Sequence, residues 1–221
     1  MDQVTALRTT DLYRFYRAGD EEVLALRGVS IEVSAGEVVA VTGPSGSGKS
    51  TLMSCLAGLD EPDGGAVWVG GERISHRYDG ERAVLRARHI GVLRQSDNLF
   101  DHLSVLDNVK LARRIAGGSA TVGPDVLAAV GMGERGHHLP SQLSGGESAR
   151  AAVAVALAND PVVLLADEPT GELDSETERQ VLSLLRERAG AGTAVVIASH
   201  SPAVRRMADR VIALREGRID G

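Results

Sequence analysis

Two glycine-rich segments carry the residues best suited to chemistry. In the first, Gly43, Pro44, Ser45, Gly46, Ser47, Gly48, Lys49, Ser50 and Thr51 follow one another and fit the pattern G-x-x-x-x-G-K-[ST]. Glycines let backbone N–H groups turn inward and approach an anion closely. A helix starting near Lys49 adds its positive N-terminal end. Lys49 can then reach the outer phosphates of a nucleotide, and the Ser50 hydroxyl can ligate Mg2+. In the second, Leu143, Ser144, Gly145, Gly146 and Glu147 precede an alanine-rich run. A serine and two glycines opening a helix again suit an anion. Further on, the apolar run 162–166 stops on Asp167 and Glu168. Acids at the carboxyl edge of a parallel sheet, beside a phosphate loop, suit a metal and a water. Asp167 would hold Mg2+ through water, and Glu168 would position or deprotonate an attacking water. Each motif alone has a plainer reading, a glycine turn or a solvated loop start, but their combination favours phosphoryl chemistry.

Those residues need rigid elements behind them. Residues 37–42 read as a short strand running into the first glycines, and residues 50–59 as the helix after them. Further strands are expected over 66–69, 89–94, 162–166, 194–199 and 211–214. Helices are expected over 147–158, over 175–189 and over 104–115, where Ser104 and Asp107 have capping-box spacing. Strands alternating with helices predict an α/β core with a mainly parallel sheet. Residues 96–142 are helical and loop-rich and predict an insertion into that core, with Gly117 and Gly118 in a loop inside it. At 221 residues and 43% hydrophobic, the chain has enough apolar content for a packed core. No run approaches the roughly 20 apolar residues of a membrane span. No basic segment followed by an apolar stretch opens the chain as a secretory leader would. The net charge of −6 argues against a nucleic-acid partner. Cys55, the single cysteine, excludes an intrachain disulfide, fits a reducing compartment and reads as core filler. His76, His89, His102, His137 and His138 show no metal-ligand spacing and read as structural. The arginines of 82–88 read as a solvated face.

The second glycine segment is followed by Arg150, then by the run ADEPTGELDSET over 166–177, then by Ala198, Ser199 and His200. With the phosphate loop, this ordered set resembles the ATPase subunit of ATP-binding cassette (ABC) transporters over nearly the whole chain. The resemblance implies a single ABC ATPase domain over 1–221. Its core, 1–95 and 160–221, would be a P-loop NTPase with a mainly parallel sheet and an N-terminal antiparallel β portion, and 96–159 would form an inserted helical subdomain. It implies ATP and Mg2+ as cofactors, and a dimer with itself or with a similar second subunit. Ser144, Gly145, Gly146 and Glu147 resemble the signature that binds the γ-phosphate of ATP held by the opposite subunit. Gln95 resembles the glutamine that touches Mg2+ and water and reports to the membrane partner. Asp174 resembles the aspartate at the dimer interface, and His200 the histidine that contacts the γ-phosphate. Tyr16 resembles the aromatic that stacks on adenine, with Tyr13 and Phe15 as rivals for that place.

Residues 16–22, the run 166–177 and residues 138–142 are similar to the lipoprotein-releasing and macrolide-exporter branch. In that branch ATP-driven dimer closure moves a large extracytoplasmic domain of an integral-membrane permease, which places the ATPase at the cytoplasmic face of the membrane. Arg94 stands where an aromatic is usual before Gln95, Val155 replaces a basic residue after the signature, and Ser201 follows His200 where an aspartate is common. None of these removes a catalytic group. An importer ATPase, and a non-transport switch acting on a membrane protein such as a regulator of cell-wall hydrolysis, are the alternative readings.

Overall fold

The computed structural model describes residues 4–18, 21–118 and 125–220; Gly19 and Asp20, within the branch-bearing segment 16–22, lie outside the described residues. The chain begins with antiparallel strands β1 (Thr5–Ala18), β2 (Glu21–Val29) and β3 (Glu32–Ser34). Then come β4 (Val38–Thr42), α1 (Lys49–Leu56), β5 (Gly64–Val69), β6 (Glu72–Arg73), α2 (Asp79–His89) and β7 (Ile90–Leu93). Between β7 and the next strand lie α3 (Val105–Ile115), α4 (Asp125–Ala128), two 3-10 turns (Gly133–Arg135 and Pro140–Gln142) and α5 (Gly145–Ala156). The chain closes with β8 (Val163–Asp167), α6 (Ser175–Gly190), β9 (Ala194–Ala198), α7 (Pro202–Met207), β10 (Arg210–Arg215) and β11 (Arg218–Asp220).

One sheet has the order β11-β10-β4-β9-β8-β7, parallel throughout except for β11. Strands covered on both faces need apolar residues at every position, and all five residues of β4 and of β9 are buried. The two-residue period of a strand divides them between two cores. Val39, Val41, Val163, Leu165 and Val196 pack with Leu52 and Leu56 of α1 on one side. Val38, Ala40, Leu164, Ala166, Val195 and Ile197 pack with α5 and α6 on the other. The second sheet runs β2-β1-β5-β6, with β3 also on β1, and is wholly antiparallel. It adds Leu7, Leu12, Leu26 and Val67 to the core that contains α1. Among the described residues no helix is long and apolar enough to cross a membrane.

The structure corrects one expectation. Residues 82–88 belong to α2, and the Arg82 side chain, only 14% exposed, pairs with Glu61 and Asp79. Arg86 Nη1 donates to Gly58 O at 3.1 Å. These arginines clasp the segment that leaves α1 rather than simply facing water. Glu61, the partner of Arg82 outside the helix, is 21 residues away in sequence, which hides that pairing from a local reading.

Candidate nucleotide site

The phosphate loop leaves the carboxyl end of β4 and enters α1, so its anchors are an inner strand and a buried helix. Gly43 has φ 150°, and a Cβ there would stand 2.1 Å from Leu214 O. Gly48 has φ 103°, and its Cβ would stand 2.5 Å from Ala25 O. Both glycines are therefore demanded by backbone that approaches from behind the loop. The turn between β10 and β11 contributes a brace, Gly217 N–H donating to Ser47 O at 3.0 Å. Lys49 Nζ donates to Gly43 O at 2.9 Å and Pro44 O at 3.1 Å, which holds the ammonium over the loop.

A cavity of about 870 Å³ opens in front of this loop. Its walls include Gly43, Pro44, Ser45, Gly46, Gly48, Lys49, Ser50 and Thr51 from the loop and helix, then Asp167, Glu168 and His200. Tyr16 and Val23, partners across the β1–β2 ladder, line it as well. The phosphate loop, the two acids, the histidine and one aromatic thus line one cavity. Among the three aromatics of β1, Tyr16 alone lines it. Tyr13 packs against the Cα positions of Gly28 and Gly64 instead.

Asp167 ends β8 next to Ser50. Burial foremost, and then the charge of Glu168, raise its carboxyl above the ordinary value, against a hydrogen bond from Ser50 and the positive charges of Lys49 and Arg94. A carboxylate and a hydroxyl side by side are hard oxygen donors of the kind Mg2+ takes, so the residues present fit that ion.

Glu168 occupies the left-handed region with φ 46°, a conformation that costs a non-glycine residue about 1–3 kcal/mol. Its N–H is held by Ala198 O at 2.9 Å. Its two carboxylate oxygens are both engaged from the end of β9, Oε2 by the Ser199 hydroxyl at 3.0 Å and Oε1 by His200 Nδ1 at 2.9 Å. Ser199 is buried, while the His200 side chain is 79% exposed. The backbone strain thus points the acid at a fixed pair of donors.

Other expected site residues are not brought to this cavity. Gln95 lines a second cavity of about 370 Å³, beside Arg94, Gly145, Glu168 and Glu172. Its Nε2 donates to Glu172 Oε1 at 3.2 Å. Ser144 caps α5, accepting from Glu147 N at 3.3 Å, while Glu147 Oε2 accepts from Ser144 N at 2.9 Å. Arg135 Nε, at 2.9 Å, holds the other Glu147 oxygen. Gly146 lies against α6, where a Cβ would meet Thr177 Cγ2 at 2.9 Å. Asp174 caps α6, accepting from the N–H groups of Glu176 and Thr177 at 2.9 and 3.0 Å. Its hydrogen bond from the Thr177 hydroxyl comes first among the causes that lower its carboxyl below the usual range. None of residues 144–147, nor Asp174, lines the main cavity.

Four residues with a place at the site carry no individual role in the sequence reading: Arg14, Asp60, Ser199 and Gly217. Asp60 follows the helix expected over 50–59 and Ser199 directly precedes His200, and only that adjacency could have singled out those two.

A phosphate loop after β4 and an acid pair at the end of β8 in one cavity, with a capped glycine helix that does not line it, define an ATP-binding cassette. The model of the family described as ABC transporter matches residues 26–171, and the chain belongs to that family. A Thermotoga maritima protein named as an uncharacterised ABC transporter ATP-binding protein is 44% identical, over 97% of this chain and 94% of its own. The lipoprotein-releasing system ATP-binding protein LolD of Granulibacter bethesdensis is 42% identical over 97% and 96%. The macrolide export ATP-binding/permease protein MacB of Hyphomonas neptunium is 43% identical over 95% of this chain, which spans only 33% of that longer protein. The dimeric structure of MJ0796, a bacterial ABC transporter cassette, superposes with a TM-score of 0.88, at 35% identity and 97% coverage of both chains. That cassette is also solved as a dimer in a post-hydrolysis state with ADP and Pi, with the same TM-score of 0.88. The chain is accordingly an ATP-hydrolysing subunit of the ABC class.

Proposed function

We propose that two copies of this chain, or this chain and a similar one, pair head to tail around two ATP molecules and drive a membrane permease. The observation that carries this reading is the separation within one chain. The cavity with Lys49, Ser50, Asp167, Glu168 and His200 contains no residue of the segment 144–147. On this reading the helix end at Ser144 meets an anion held by another copy. The dimeric cassette structures support this reading, as do relatives whose names join ATP binding to a permease, to macrolide export or to lipoprotein release.

In this scheme Gly43 to Thr51 wrap the phosphates with backbone N–H groups, and Lys49 leaves its carbonyls for the outer phosphates. Ser50 and Asp167 would hold Mg2+, which when bound neutralises developing charge on the phosphates. Glu168, fixed by Ser199 and His200 Nδ1, orients and deprotonates the attacking water, and His200 offers its other ring nitrogen, Nε2, to the γ-phosphate. Ser144, Gly145, Gly146 and Glu147 of the second copy close the other side, with Asp174 beside them. Closure excludes bulk water and strengthens each of these electrostatic contacts. Hydrolysis leaves two anions where one ATP bridged the copies, and the pair opens. Gln95, tied to Glu172 beside Glu168, carries this change to the permease, which is gripped by the helical part, residues 96–159. The chain would thus work at the cytoplasmic face of the membrane, on export or on mechanical work at an extracytoplasmic domain.

Glu168→Gln tests the catalytic assignment. Phosphate release should fall on the order of 10²- to 10⁴-fold, while ATP binding persists and ATP-dependent dimers accumulate on size-exclusion chromatography. Hydrolysis near the wild-type rate would overturn it.

A further inference from the structure

We propose that Arg14 and Asp60 are positioning residues that fix the Tyr16 ring as the platform for the nucleobase and tie that platform to the helix of the phosphate loop. The proposal rests on the reading of Tyr16 as the base-stacking aromatic.

Arg14 and Tyr16 stand two apart on β1, so their side chains share one face. The Arg14 guanidinium lies over the Tyr16 ring, 4.7 Å from its centroid. Two carboxylates hold it there. Arg14 Nε donates to Asp60 Oδ2 at 2.9 Å, Nη2 to Asp60 Oδ1 at 2.8 Å and Nη1 to Asp63 Oδ2 at 3.0 Å. This is the two-pronged geometry that a planar guanidinium makes and an ammonium cannot. The Tyr16 hydroxyl donates to the same Asp60 Oδ2 at 2.6 Å. One carboxylate therefore fixes both the ring's hydroxyl end and the cation stacked upon it. The side chains of Arg14 and Asp60 are only 21% and 23% exposed, so the pair is sheltered. Burial works to raise the Asp60 carboxyl, but the bonds from Tyr16 and Arg14 outweigh it and hold it below the ordinary value.

Asp60 lies just past the end of α1. Its N–H and that of Leu59 both donate to Ser54 O, at 3.2 and 2.9 Å, which fastens this segment to the helix. Asp63 Oδ2 also accepts from Phe15 N at 2.8 Å and so pins the β1 backbone next to Tyr16. Tyr16 and the phosphate loop, both in the cavity wall, are thereby mounted on the same helix. Tyr16 keeps 38% of its surface exposed, and Val23 beside it keeps 51%. With a guanidinium already on the ring, a base stacking in the cavity would extend an ordered cation–ring pile, since cations and π faces attract.

Dissociation constants for ATP and for inorganic tripolyphosphate are measured by calorimetry on the wild-type chain and on Arg14→Lys, Asp60→Asn, Tyr16→Phe and Tyr16→Ala. Arg14→Lys and Asp60→Asn should each weaken ATP on the order of tenfold and leave tripolyphosphate unchanged. Tyr16→Phe, the mildest change, should weaken ATP by a smaller factor. The charge-conserving Arg14→Lys should be no better than Asp60→Asn, because stack and fork are both lost. If Tyr16→Ala weakens ATP and the Arg14 and Asp60 variants do not, the positioning pair is refuted while the platform stands. If Tyr16→Ala leaves ATP binding unchanged, the platform reading itself fails. Equal weakening of tripolyphosphate and ATP would place the defect in the phosphate loop and overturn the proposal.

Discussion

Glu168 shows how one side chain is prepared for its task. A left-handed backbone, a buried serine and an exposed histidine together leave its carboxylate little freedom. Preorganisation of this kind acts on the rate of the chemical step more than on ground-state binding. Ser199→Ala removes the donor to Oε2 and leaves the acid held only by the exposed His200. One hydrogen bond to a charged group is worth about 1.5–3 kcal/mol, so kcat should fall on the order of tenfold or more with KM for ATP little changed. Steady-state ATPase assays check this, and an unchanged kcat would show that Ser199 does not orient the acid. Asp167 and Glu168 were legible in the sequence because an apolar strand stops abruptly on two carboxylates. Ser199 was not, because its partner is 31 residues away and a serine ending a strand has no pattern of its own.

At the scale of elements, α5 is built at its N-terminus for close approach. Ser144 and Glu147 cap each other, and Gly146 gives up its side chain to Thr177 of α6. Thr177 cannot swing away freely, since its hydroxyl donates to Asp174 Oδ2 at 2.7 Å. Gly146→Ala should therefore destabilise the fold by about 1–3 kcal/mol through overpacking. Thr177→Ser, which removes the clashing methyl group and keeps the hydroxyl, should recover part of that loss. Urea unfolding of the single and double variants measures both, and additive effects would show that the two residues do not interact. The inner strands β4, β8 and β9 were plain in the sequence because strands covered on both faces admit only apolar residues. The long first strand was not, since Arg8, Arg14 and Arg17 interrupt its apolar positions and its partners come from β2, β3 and β5. Helix α2 was hidden by its arginines, whose acidic partner Glu61 lies outside it.

Across the whole molecule, two sheets meet at one cavity. The parallel sheet brings the loops after β4, β8 and β9 together at the carboxyl ends of its strands, where ligands of such sheets bind. The antiparallel sheet contributes Tyr16 and Val23, and the turn between β10 and β11 braces the phosphate loop from behind. What a single copy does not bring to that cavity is its own segment 144–147. The order of the motifs along the sequence carried the family. The distance between the two glycine segments in space could come only from the fold, since it depends on how α5 packs against α6 and the sheet. A site divided between two copies predicts complementation. Lys49→Ala damages the phosphate loop and leaves 144–147 intact, whereas Ser144→Arg blocks the capped helix end and leaves the loop intact. Each variant alone should hydrolyse little ATP. When the two are mixed, a mixed dimer unites the sound loop of one copy with the sound helix end of the other. The measurement is phosphate release by the two purified variants, separately and mixed. The structure predicts activity in the mixture that neither has alone, and a mixture as inactive as its components would contradict a site shared between two copies.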